Sequence, residues 1–147
     1  MPESWRFYLH QSNALNSNDR KHWGSATGPR KVIRTHGSIK ARTLPKFTRA
    51  RISVLVSYPD RTGRDAMNLY PVMKAYVDGL VDGGRGILPD DSDIYVSGPH
   101  LDWSGKLSDR REHFAFDVTV EDIEPMIPDR DAMGPAMLKK WLAMQPA

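Results

Sequence analysis

The sequence predicts an α+β fold in which a small mixed β-sheet has helices packed on it, as a single domain. Segments with strand or helix patterns follow one another as strand, loop and helix, strand, helix, strand, strand, helix. The 147 residues suit one domain, and no interior linker divides residues 1–147. The hydrophobic share of 39% and the charged share of 27% are typical of a globular protein.

The elements of the first half follow from local patterns. Residues 5–9 form a short apolar-rich strand. The polar segment 13–30 is predicted to be a mobile basic loop that orders on binding. Residues 31–42 are predicted to be a helix, although Gly37 weakens that prediction. The clearest strand is 49–58, because it is rich in β-branched residues and a turn follows it.

The central helix is predicted at residues 71–81. Pro71 fits its first turn, where a missing N–H costs nothing. Val72, Tyr76 and Leu80 are spaced four residues apart, so they lie on one face and should be buried.

The last elements are two strands and a helix. Residues 93–101 are predicted to be a strand, 102–111 a hairpin tip, and 113–120 the return strand. Residues 122–147 form a C-terminal extension with a short amphipathic helix at 134–144. That helix is expected to cover the sheet, or alternatively to contribute to a dimer.

The composition argues against several classes of protein. Without Cys, the chain has no disulfide framework, no thiolate zinc site and no thiol nucleophile. The first ten residues lack the apolar stretch of a signal peptide, and no apolar run approaches the length of a membrane span. The five His residues lack zinc-binding spacing.

Charge is divided unevenly along the chain. Residues 1–64 carry thirteen basic and three acidic residues, a net charge of +10, whereas residues 65–147 carry eight and fifteen, a net charge of −7. This division indicates a polyanion-binding surface beside a carboxylate-rich feature, although a solvated basic face is the simpler alternative. The candidate contacts for the phosphates of a nucleic acid are Arg20, Lys21, His22, Arg30, Lys31, Arg34, Lys40, Arg42, Lys46, Arg49, Arg51, Lys106, Arg110 and Arg111. Trp23 and Trp103 are candidate stacking residues, and the alternative for Trp103 is an ordinary packing residue.

Acidic residues flank the central helix. Asp65 precedes it, and Asp90 and Asp91 follow it. Carboxylates suit Mg²⁺ or Mn²⁺, and Lys74 on the helix could neutralise charge on a scissile phosphate. The alternatives are that Asp90 and Asp91 form a solvated turn, that Asp65 is a helix-start residue, and that Lys74 and Asp78 form a surface pair.

The acidic residues belong to a longer series of short motifs. The motifs are LNSNDRKHW at 15–23, RDAMNL at 64–69, KA at 74–75, VDGL at 77–80 and GILPDD at 86–91. Their joint order and spacing resemble the RusA family of Holliday-junction resolvases, which are crossover-junction endodeoxyribonucleases. The resemblance spans roughly residues 5–120.

The resemblance implies cleavage of four-way DNA junctions by a homodimer with Mg²⁺, or Mn²⁺ as a substitute, in a bacterial or phage-infected cytoplasm. Asp65 matches the first catalytic Asp, and Asp90 and Asp91 match the paired acids, with Asp91 the stronger catalytic candidate. Lys74 matches the functional Lys, although three extra residues separate it from the Asn68 match. Asp78 matches an acid that recurs on the family's helix. Its implied role is either to bind the metal directly or to contact a residue that does.

One position departs from the RusA pattern. The family has a second acid two residues after the first, and here that position is Met67. Met is a poor ligand for a hard cation. Asn68 or Asp78 therefore completes the metal shell, or the chain is a weak or inactive enzyme that still binds DNA junctions.

Overall fold

The computed structural model describes residues 2–16 and 27–145. The predicted α+β class and the predicted order of elements are confirmed. Within these two ranges, no helix combines the length and the apolar character that crossing a membrane requires. The elements are β1 (Glu3–His10), α1 (Thr27–Ala41), β2 (Ala50–Tyr58), α2 (Tyr70–Val81), β3 (Val96–Leu107), β4 (His113–Asp122) and α3 (Pro135–Met144).

The four strands form one mixed sheet in the order β1-β4-β2-β3. β2 pairs in parallel with β3 and antiparallel with β4, which also pairs antiparallel with β1. A parallel neighbour requires a crossover connection, and α2 supplies it between β2 and β3. The interior place of β2 agrees with its apolar sequence, since Ile52, Val54 and Val56 are buried.

The predicted hairpin tip at 102–111 is wrong. β3 begins at Val96 rather than at residue 93 and continues to Leu107, so most of the predicted tip is strand. β3 and β4 are also not paired with each other, because β2 lies between them. The sequence between two strands gives the length of their connection, but not which strand enters the space between them.

The predicted loop at 13–30 is also partly wrong. α1 begins at Thr27, so Gly28, Pro29 and Arg30 are helical. Pro29 lies in the first turn, where its fixed φ favours the helix. Residues 17–26 of the predicted loop lie outside the described residues.

Tyr76 of α2 anchors the helices on one face of the sheet. Its ring stacks on Phe7 of β1 with centroids 4.1 Å apart, and the Trp5 indole N–H donates a 2.9 Å hydrogen bond to its hydroxyl oxygen. Burial raises the pKa of Tyr76 to about 12. Val72 and Leu80 are also buried, which confirms the predicted apolar face of the helix.

α1 and α2 pack with their backbones in contact at two glycines. A Cβ added at Gly37 would collide with the carbonyl oxygen of Tyr76, and one added at Gly79 with the carbonyl oxygen of Arg34. Gly37 therefore does not mark a weak helix, because it is what allows α1 to approach α2.

The opposite face of the sheet is polar. Arg6 pairs with Asp117 at 2.7 Å and Arg51 with Glu121 at 3.1 Å, across neighbouring strands. These pairs are partly exposed, as expected for the face of an antiparallel strand pair that meets solvent.

α3 lies against the loop between α2 and β3, where the Tyr95 hydroxyl donates a 2.9 Å hydrogen bond to the sulfur of Met144. No residue of α3, which is described in full, is buried. The contacts of this helix are therefore with a loop beside the sheet, rather than with the broad sheet face that the sequence suggested.

Candidate active site

Lys74 is the centre of a three-residue cluster. Its ammonium group donates hydrogen bonds to a carboxylate oxygen of Asp78 at 2.9 Å and to one of Asp91 at 3.0 Å. Lys74 and Asp78 are one turn apart on α2, whereas Asp91 is 17 residues beyond Lys74 in the following loop. The predicted Lys74–Asp78 pair is therefore present, and Asp91 joins it.

The end of α2 directs this loop back along the helix. Asp82 has a positive φ of 47°, which ends the helix. The N–H of Gly86 then donates to the carbonyl of Val81 at 2.8 Å. A Cβ at Gly86 would collide with the carbonyl oxygen of Leu80, so this close return requires glycine.

Lys46 stabilises the same loop. Its ammonium group donates to the carbonyl oxygens of Arg85 at 3.0 Å and Gly86 at 2.7 Å. This candidate DNA contact is therefore engaged in holding the chain that leads to Asp91.

The two carboxyl groups of the cluster have opposite pKa shifts. Burial, together with the nearby Asp91 carboxylate, raises the pKa of Asp78 above its ordinary value and outweighs the opposing effect of Lys74. The hydrogen bond from Lys74 lowers the pKa of Asp91, which burial opposes. Burial also acts to lower the pKa of Lys74, but the hydrogen bonds to Asp78 and Asp91 outweigh burial and raise it. Two carboxyl groups thus share one ammonium group, which stays charged at neutral pH.

Asp90 has a different set of partners from Asp91. One oxygen of Asp90 accepts the backbone N–H of Asp91 at 2.9 Å, and the other lies 3.6 Å from the ammonium nitrogen of Lys140 on α3. Asp90 therefore pairs with Lys140 on the C-terminal helix, whereas Asp91 pairs with Lys74.

Asp65 lies at the start of a single 3₁₀ turn, Ala66–Leu69, that leads into α2. Its carboxylate accepts the N–H of Met67 at 3.0 Å, so the predicted helix-start role is present. Burial, and after it the Asp65 carboxylate, raises the pKa of Tyr58. Asp65 thus accepts a hydrogen bond within its own turn and acts electrostatically on Tyr58 at the end of β2.

The four predicted metal-site acids do not form one close group. Across residues 2–16 and 27–145, no three His, Cys, Asp or Glu side chains gather closely enough to hold a metal ion. Lys74 joins Asp78 and Asp91, and the structure gives Asp65 and Asp90 other contacts.

Asp78 and Asp91 are the two predicted metal-site acids that the structure brings together. Mg²⁺ is commonly held by one or two carboxylates, with substrate phosphates and waters as further ligands. The pair supplies two carboxylates, which lie together because both accept hydrogen bonds from the Lys74 ammonium group.

A groove of about 770 Å³ adjoins the turn that Asp65 begins. Its walls include Asp65, Tyr58, Trp103 and Lys106. The rings of Tyr58 and Trp103 are nearly parallel, with an interplanar angle of 6° and centroids 6.2 Å apart. The sequence singles out Trp103 as a candidate stacking residue, whereas a predicted hairpin tip gives no sign of the groove.

The candidate DNA contacts lie in several places. Lys40 lies over the Trp5 ring at 5.1 Å, Arg110 lies over the Tyr8 ring at 5.3 Å, and Arg51 is paired with Glu121. Arg49 has a buried Nε without a hydrogen-bond partner among the described residues. Lys31, Arg34, Arg42, Lys106 and Arg111 are exposed, Arg30 is half-buried, and Arg20, Lys21, His22 and Trp23 lie outside the described residues.

Comparison of the sequence with models of known protein families and with curated proteins finds no match.

Proposed function

We propose that the chain is a RusA-like, Mg²⁺-dependent endonuclease that cleaves four-way DNA junctions as a homodimer. The observation that carries the proposal is the contact of Lys74 with Asp78 and Asp91 at 2.9 and 3.0 Å. These three positions, which come from a helix and the loop after it, are among those that resemble the RusA motifs. The reaction would serve recombination, repair or phage DNA processing in a bacterial cytoplasm.

Asp78 and Asp91 would hold the metal, whereas Asp65, a ligand by the RusA resemblance, makes its contacts outside their cluster. Bound Mg²⁺ or Mn²⁺ would supply an activated water and stabilise charge on the phosphate. Lys74 remains protonated at neutral pH, because its hydrogen bonds to the two carboxylates raise its pKa. An ammonium group has three N–H donors, and the two acids accept two of them, which leaves one for a phosphate oxygen.

The basic residues would hold the DNA. Exposed cations on α1, such as Lys31 and Arg34, suit phosphate contacts that give salt-dependent affinity without reading base sequence. A four-way junction has approximate two-fold symmetry, so a two-fold dimer would present one cutting site to each of two strands.

The proposal is tested with a synthetic four-way junction and a linear duplex that contains the same arm sequences. We expect Mg²⁺-dependent nicks in the junction and none at matching positions of the duplex. Equal cutting of the two substrates would refute the claim of structure selectivity. An Asp65→Asn variant that nicks the junction as fast as the wild type would show that Asp65 is not part of the cutting centre.

A second candidate function is junction binding without cleavage. Met67, whose side chain is exposed, stands beside Asp65 where the RusA pattern has an acid. This alternative requires junction binding with no nicking at any Mg²⁺ or Mn²⁺ concentration. Metal-dependent nicking by the wild type eliminates it. If the wild type is instead a weak enzyme, Met67→Asp should raise its nicking rate, because it restores an oxygen ligand.

A further inference from the structure

We propose that the groove beside Asp65 binds an unpaired nucleobase of single-stranded DNA, with the Trp103 indole as the stacking surface. This inference deepens the proposed function and rests on it, since it adds a feature of the DNA that the proposed enzyme would bind. It assigns the groove to DNA with open, unstacked bases rather than to intact duplex.

Trp103 is the main observation. It lies on β3, the edge strand of the sheet, and 60% of its surface is exposed. Tyr58, only 7% exposed, is parallel to Trp103 with ring centroids 6.2 Å apart. The indole is thus supported by an ordered aromatic neighbour and still has open surface, which favours a binding role over simple packing.

The cavity has the size and lining that a base requires. Its volume of about 770 Å³ lies in the range of known small-ligand sites. Leu101 and Leu107 add apolar surface to the lining. A base stacked on the indole of Trp103 would cover this apolar surface.

Cations at the edge of this groove complement a nucleotide. Arg61 and Lys106 both line it, both are exposed, and neither makes an ion pair within the part of the chain that is described. The lining also holds three acids. Asp60 is paired with Arg64, and the other two are Asp65 and Asp102. An aromatic surface with free cations beside it is the combination that binds single-stranded nucleic acid, through base and phosphate respectively.

The groove is continuous in sequence with the proposed cutting centre. Asp65 lines the groove and starts the 3₁₀ turn, and α2, which carries Lys74 and Asp78, follows directly. A base held in the groove would therefore lie next to the turn that leads into α2. The base-binding site and the cutting centre would act on the same junction.

The test compares two fluorescently labelled strands of equal length and charge, an oligothymidylate and one made entirely of abasic residues. Binding is measured by anisotropy in EDTA, without divalent metal. We expect the wild type to bind the thymidylate strand about tenfold more tightly, in line with the contribution of one base–aromatic stack. Trp103→Ala should lose this preference, Trp103→Phe should keep much of it, and Trp141→Ala on α3 serves as the matched control.

Equal affinity of the wild type for the two strands would overturn the inference, as would an unchanged preference in Trp103→Ala. Loss of the preference in Trp141→Ala to the same extent would overturn its assignment to this groove. The inference and the proposed function fail separately. Base-dependent binding through Trp103 without Mg²⁺-dependent nicking supports base binding in the groove and refutes the nuclease. Mg²⁺-dependent nicking without a base preference supports the nuclease and refutes base binding in the groove.

Discussion

Lys74 donates to two carboxyl groups that differ in burial, and this difference determines how each acid responds to pH. Asp91 has a lowered pKa, chiefly because it accepts a hydrogen bond from Lys74, so its ionised form stabilises the fold. Asp78 has a raised pKa, chiefly because it is more buried, so its ionisation opposes the fold as pH rises above about 4. The two acids of one cluster therefore act on stability with opposite signs.

The stabilisation by Asp91 should disappear in acid. It is complete above the ordinary carboxyl pKa, about 3.9, and is lost as pH falls through the lower folded-state value. Because Asp91 is exposed, we expect wild type to exceed Asp91→Asn by only about 0.2–1 kcal/mol in free energy of unfolding at pH 7. Urea unfolding at pH 7 and near pH 2 measures the difference, with Asp129→Asn as control. If the difference in free energy of unfolding between wild type and Asp91→Asn is the same at both pH values, the lowered pKa of Asp91 is contradicted.

The sequence could predict part of this cluster. The spacing of Lys74 and Asp78 on one helix is sufficient to place them side by side. The participation of Asp91 depends on how the chain returns after Asp82, and local pattern does not contain that geometry. For the same reason, sequence spacing did not distinguish the contacts of Asp91 from those of Asp90 or Asp65.

At the scale of elements, the contact between α1 and α2 depends on glycines that local propensity treats as weaknesses. Gly37 and Gly79 each face a backbone carbonyl of the other helix, with no space for a side chain. The helices were predictable from apolar spacing, whereas their close approach was not. The pairing of β2 with both β3 and β4 was likewise beyond local pattern, since register and neighbours are set by the whole sheet.

The glycine contact gives a prediction for stability. Gly79→Ala should lower the free energy of unfolding by about 1–3 kcal/mol or more, because the new methyl group forces the helices apart. Gly28→Ala on α1 is the matched control, since nothing lies within 4 Å of its added Cβ and alanine favours the helix. Chemical denaturation measures both variants. Equal stability of the two would contradict the close helix contact.

At the scale of the whole molecule, the uneven charge of the chain predicted a polyanion partner but not where it would bind. The structure engages several basic residues within the protein, such as Lys46 with loop carbonyls and Arg6 with Asp117. Others, such as Lys31 and Arg34 on α1, remain exposed. The net charge of a sequence thus does not distinguish two kinds of cation. Some are engaged within the fold, and others are free to contact a polyanion.

Salt dependence should separate these two kinds of cation. For junction binding, we expect a plot of log affinity against log salt to have a negative slope. The Lys31→Ala/Arg34→Ala double variant should make this slope shallower by about 2, because two phosphate contacts are lost. Arg6→Gln, which changes a cation already paired with Asp117, should leave the slope unchanged. Anisotropy titrations between about 50 and 200 mM salt provide the slopes. An unchanged slope in the double variant would exclude α1 from the DNA-binding surface.

The most direct test of the central claim is the single-turnover rate of Mg²⁺-dependent nicking of a four-way junction. Wild type is compared with Asp91→Asn, which removes a proposed metal ligand, and with Asp129→Asn, the same change at an exposed acid outside the cluster. If the Lys74–Asp78–Asp91 cluster is the cutting centre, Asp91→Asn should be slower by about 100-fold or more, and Asp129→Asn should match wild type. Equal rates for wild type and Asp91→Asn would contradict the claim.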